Sequence, residues 1–179
     1  MPTRARERLM RTAEELFYAD GIRAVGVERL LEESGVGRAS FYRHFAGKDD
    51  LVETVLSERD RQWRQSLADG VAARGGHPLA VFDFLAERFE RAGYRGCAFI
   101  NAMAEVGHAD AAVYRLARAH KGAVTEYLAA LLEEAGYGES GPLAAQLMLL
   151  IDGALVTALR ERSAEPAHRA KAIAAALLA

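Results

Sequence analysis

The run Gly35-Val36-Gly37, followed by Phe41 and Phe45, limits what this chain can fold into more than any other feature. Two glycines around a valine are turn chemistry, and two phenylalanines four apart share one face of a helix. Such a face must be buried, and the residues upstream supply the partners. Leu9, Ala13, Leu16 and Phe17 fall at helical spacing from about Arg4 to Ala19, and Asp20-Gly21 closes that segment. Ile22 and Val25 lead into a short second helix, Val27 to Ser34, with Leu30 and Leu31 apolar. Three short helices within about 45 residues, with a glycine turn between the last two, predict a helix-turn-helix.

The third helix, expected over Arg38 to Phe45, carries the functional signal. With Phe41 and Phe45 inward, Arg38, Ala39, Ser40, Tyr42, Arg43 and His44 are left for the outer face and first turn. These are side chains suited to DNA: Arg and His donors, a small hydroxyl, a methyl that matches thymine, and a phenol that reaches phosphate. Ala46-Gly47 breaks the helix. Lys48 then opens a long fourth helix bearing Leu51, Val52, Val55 and Leu56, where its ammonium and the first-turn amides can grip one phosphate. Charge distribution agrees: residues 1–48 hold nine Lys/Arg against seven Asp/Glu, while the whole chain carries a net charge of −2.

The stretch GIRAVGVERLLEESGVGRASFYRHFAGKDDLV, Gly21 to Val52, resembles the DNA-binding signature of the TetR family of transcriptional regulators. The resemblance implies an all-α fold: a helix-turn-helix DNA-binding domain over 1–47, then a helical ligand-sensing and dimerisation domain over 48–179, about nine helices in total. It implies a homodimer on a palindromic, double-stranded DNA operator, released by a small-molecule effector of unknown identity, and a repressor rather than an activator. DNA contact is expected from Val27, Gly37, Arg38, Ala39, Ser40, Tyr42, Arg43, His44 and Lys48. The chain departs from the family at two places. Gly26 and Gly37 stand where Ser or Thr usually caps the second and third helices, which loses a hydroxyl that would meet phosphate.

The remainder reads as further helices divided by breaks at Arg74 to His77 and Gly93 to Gly96, with Pro78, Gly141-Pro142 and Pro166 opening segments and Gly136 closing one. Leu143, Leu147, Leu150, Ile151, Ala154, Leu155 and Ala158 form one broad apolar stripe, and Ile173 and Leu177 mark another. These are the expected dimer surface, closing a four-helix bundle between two copies. An effector cavity is expected among Phe82, Phe89, Phe99, Asn101, Met103, Glu105, Tyr114, Gln146 and Met148. Asn101 and Glu105 stand out, four apart in the otherwise apolar segment Cys97 to Val106.

Other classes fit less well. One cysteine, Cys97, rules out an internal disulfide framework, and without a resolving partner it reads as a small core residue rather than a redox sensor. Glu105/His108 and Glu165/His168 have the Glu-x-x-His spacing of di-metal bundles, yet His108 follows Gly107 and Pro166 puts the second pair at a helix start. No cofactor and no metal are expected. The apolar run Leu143 to Leu159 is interrupted by Gln146 and Asp152, so a buried helix explains it better than a membrane span, and the N-terminus lacks an apolar signal core. A cytoplasmic, non-enzymatic protein is expected. The alternative is a helical ligand-binding or enzymatic bundle that does not bind DNA.

Overall fold

A computed structural model describes residues 4–106 and 111–179, and there the helical periodicity becomes nine α-helices with no strand among the described residues. They are α1 Arg4–Asp20, α2 Val27–Ser34, α3 Arg38–His44, α4 Lys48–Ala72, α5 Ala80–Phe89, α6 Ala98–Val106, α7 Ala111–Glu134, α8 Ser140–Glu161 and α9 Glu165–Leu177. The expected breaks fall between them. His108, of the first Glu-x-x-His pair, lies outside the described residues. Pro78 precedes α5 by two residues instead of opening it, with the Ala80 amide bonded to the His77 carbonyl at 2.9 Å.

The chain packs as two compact units, and the division departs from a cut at residue 47. One unit comprises the described residues of Met1–Asp60 and Ala98–Ala117; the other comprises Arg61–Cys97 and Arg118–Ala179. Helix α4 therefore contributes its first half to one unit and its second half to the other, while α6 and the start of α7 belong with the helix-turn-helix.

In the first unit, α1 buries Leu9, Ala13, Leu16 and Phe17, as its spacing predicts. Arg8 reaches from α1 to the end of α2, its Nε donating to the Ser34 carbonyl at 3.1 Å, where a cation also suits the helix dipole. Arg59 of α4 pairs with Glu14 at 3.0 Å and stacks over the Tyr18 ring. Helix α6 is tied to the loop after α1. The Arg23 amide donates to the Glu105 carboxylate at 2.9 Å, and the Arg23 guanidinium donates to the Glu105 carbonyl at 3.3 Å. Gly21, at φ +96°, lies under that carboxylate; a Cβ there would stand 2.8 Å from Glu105 Oε2.

In the second unit, α8 packs on α9 and both pack on α5. Phe82, Leu85, Leu128, Leu132, Leu147 and Ile151 are its largest fully buried side chains outside α4. Lys171 of α9 bridges to Asp83 of α5 at 2.6 Å, Lys121 of α7 pairs with Asp152 of α8, and the Tyr94 hydroxyl donates to the Leu155 carbonyl at 2.9 Å. Trp63 lies edge-on to both Phe84 and the buried His120. Helix α8 is long and apolar enough to cross a membrane by length and composition alone, and here its inner face joins this core.

Candidate nucleic-acid interface

The interface is built from the turn outward. Helix α2 ends at Gly35, whose left-handed backbone (φ 61°, ψ 29°) lets its own amide and that of Val36 turn back onto the Glu32 and Leu31 carbonyls. A side chain at that φ would be strained, which is why the turn needs glycine. Val36 then drops into the core, and Gly37 starts α3 in an extended conformation. Its carbonyl accepts from the Ser40 amide at 2.9 Å and the Phe41 amide at 3.0 Å.

Phe41 is fully buried and Phe45 nearly so, their rings 5.9 Å apart, with Arg6 of α1 over the Phe45 ring at 5.5 Å. That anchor fixes the rotation of α3. Gly37, Arg38, Ala39, Tyr42 and Arg43 are exposed as a result, and Ser40 and His44 half-buried. Tyr42 stays 52% exposed although its ring sits edge-on to Phe41 at 5.1 Å, so its hydroxyl end points outward from a fixed base. Lys48 is half-buried at the first position of α4, behind Gly47. Asp50 caps this helix start by accepting the Ala46 amide at 2.8 Å. Val27, half-buried, opens α2.

One residue of this surface escapes a reading of the sequence. Glu28, in the first turn of α2, accepts a hydrogen bond from the Arg38 guanidinium of α3 and raises its pKa further above the ordinary value. An acid at a helix start is favourable for the dipole alone, so the sequence gives no hint of a cross-helix pair. Both caps are bare: Gly26 and Gly37 have extended backbones and no side-chain hydrogen bond, and a Cβ at either would meet nothing within 4 Å.

The expected sensor residues are divided between the two units. Phe99, Asn101, Met103, Glu105 and Tyr114 belong to the first unit; Phe82, Phe89, Gln146 and Met148 belong to the second. Phe82, Phe89 and Met148 are core residues. Gln146 is exposed, because α8 turns Ala144, Leu147, Met148 and Ile151 inward and position 146 falls away from that face. Glu105 is likewise committed elsewhere, to Arg23. Cys97 is a free, half-buried thiol against the second core.

The dimer stripe is corrected as well. Leu147, Ile151, Ala154, Leu155 and Ala158 are buried within one chain, and Leu143 and Leu150 pack half-buried against the same core. Helix α8 is apolar around most of its girth, so its inner row satisfies the same periodicity as an outer one. The outer row holds Leu149 (74% exposed), Val156 and Leu159, and on α9 the expected Ile173 and Leu177 are exposed too.

Comparison with known proteins converges on one family. Residues 9–55 match the family model described as bacterial regulatory proteins, tetR family. The solved structure of SCO4454, a TetR-family transcriptional regulator from Streptomyces coelicolor, is 34% identical, with a TM-score of 0.84 over 97% of this chain and 90% of that one. The HTH-type transcriptional regulator TcmR of Streptomyces glaucescens is 37% identical over 76 residues, covering 42% of this chain and 33% of its own length. The HTH-type transcriptional regulator LmrA of Bacillus subtilis is 33% identical over 84 residues, covering 46% of this chain and 45% of its own length. The chain thus spans less than half the length of these two curated relatives, against nine tenths of the solved structure.

Proposed function

This chain belongs to the TetR family of bacterial regulatory proteins, and on that premise we propose that it is a cytoplasmic repressor, a homodimer that grips a palindromic operator and lets go when a small molecule binds its helical body. The observation that carries this is the partition of α3: two phenylalanines clamp one side while Arg38, Ala39, Tyr42 and Arg43 are exposed on the other. A helix so presented fits a major groove, where Arg recognises guanine and a methyl recognises thymine. Arg38, Ala39, Ser40 and Arg43 read bases in this account, while Tyr42, His44 and Lys48, with Val27 and Gly37 at the helix starts, hold the backbone.

Two reading heads on one dimer meet successive grooves about 34–36 Å apart. The exposed row Leu149, Val156 and Leu159, with Ile173 and Leu177, supplies the self-complementary surface. Release requires an effector that prefers a conformation in which the heads no longer match that spacing, because equal affinity for both states shifts nothing. Helix α4 is the element that carries the change, since it is continuous through both units. No catalytic role is proposed for any residue.

The test is substitution in the full chain. Tyr42→Phe and Lys48→Ala should weaken operator binding while the dimer stays folded, and Lys48→Ala should reduce the salt slope by about 1. Arg38→Ala should relax preference at one position of each half-site. Wild-type affinity in all three variants would count against the assignment.

A further inference from the structure

The acid at position 28 is out of keeping with the surface around it. Its side chain is 78% exposed, beside residues that the proposed function turns toward a polyanion. Every phosphate repels a carboxylate there. In the major groove the available donors are the amino groups of cytosine and adenine, so an acid on a reading face is useful only where it discriminates.

Arg38, 55% exposed, is what Glu28 holds. The pair links the first turn of α2 to the first residue of α3, so it spans the two helices of the motif. Tyr42, one turn further along α3, adds a weaker attraction on the same guanidinium. Glu28 engages Nη2 alone, and a guanidinium carries five N–H donors, so enough remain for a two-pronged contact to guanine. An unrestrained arginine at a helix start can instead swing to whichever phosphate lies nearest. That contact adds affinity without sequence preference.

We propose that Glu28 is a specificity-determining residue: it holds Arg38 in reach of a guanine edge, withholds it from the phosphates, and by its own charge disfavours DNA lacking the matching base. The inference rests on the DNA-reading role proposed above. It does not rest on stability, since exposed ion pairs contribute little to folding.

The experiment compares the full-length wild type with Glu28→Gln and Glu28→Ala, two ways of removing the charge, so the outcome does not hang on one side chain. Each protein selects from a random duplex pool, the bound fraction is sequenced, and affinity for a non-cognate duplex is followed against salt. Both variants should bind non-cognate DNA more tightly. Between 50 and 200 mM salt they should lose about three- to fourfold more affinity than the wild type loses, as one further phosphate contact requires. Their selected pools should lose contrast at the half-site position that Arg38→Ala also blurs, and Glu28→Gln combined with Arg38→Ala should be no worse there than Arg38→Ala alone. A wild-type palindrome recovered unchanged by both variants, or an unchanged non-cognate affinity, overturns the role of Glu28 alone. A wild type that enriches no palindrome overturns the DNA-reading assignment itself.

Discussion

Gly37→Ser should make this protein more stable, and the structure fixes by how much. Gly37 caps α3 at φ −67° and ψ 149°, a conformation open to any L-residue. A Cβ there meets nothing within 4 Å. Removing glycine's freedom from the unfolded chain at a compatible site is worth about 0.4–1 kcal/mol. A serine cap adds a few tenths over glycine. Its hydroxyl would accept the Ala39 amide, because the Ser40 and Phe41 amides already donate to the Gly37 carbonyl. The sum is roughly 0.5–1.5 kcal/mol, or about 1–6 °C in Tm for a chain of this size. Thermal unfolding followed by helical circular dichroism, at one fixed protein concentration, measures it. Operator affinity should hold or rise, since the hydroxyl can also meet phosphate, while the salt slope stays constant because no charge is added. A lower Tm would refute the claim that this cap has room. Normal stability with weaker DNA binding would show instead that DNA backbone approaches Gly37 too closely for a side chain.

Three further outcomes follow from the packing. Leu149→Glu with Val156→Glu should yield a folded monomer by analytical ultracentrifugation with sharply weaker operator binding, whereas Leu147→Glu should unfold the second unit, because Leu147 is fully buried. Gly21→Ala should destabilise by about 1–3 kcal/mol in urea titration, combining left-handed strain with the Glu105 carboxylate 2.8 Å from the new Cβ; adding Glu105→Ala should recover only the steric part. Phe41→Ala should cost about 3–5 kcal/mol and abolish DNA binding, since it empties a fully buried site behind the reading helix.

What the sequence reveals and what it hides divide along physical lines. The inner and outer sides of α3 are legible because Phe41, with Phe45 just past the helix end, is apolar beside residues otherwise rich in polar groups, so one rotation satisfies both faces. Helix α8 offered no such contrast. It is apolar on nearly every side, and which leucines face inward depends on where α5 and α9 lie, which no local period encodes. The bond from Glu105 to Arg23 joins residues 82 positions apart. It reassigns an apparent sensor acid to the support of the helix-turn-helix. The change of unit near Asp60 falls inside one uninterrupted helix and leaves no glycine or proline to mark it. The Glu28–Arg38 pair is hidden for a related reason: each residue has an adequate local explanation, one as a helix-start acid, the other as a DNA donor.

Selection by the wild-type protein from a random duplex pool, with the bound fraction sequenced, tests the central claim most directly. The account predicts enrichment of a palindrome whose half-site centres lie about one helical turn, or a related spacing, apart, with a guanine at a position whose contrast disappears in Arg38→Ala. A pool that stays random, bound by a folded dimer at moderate salt, would contradict it.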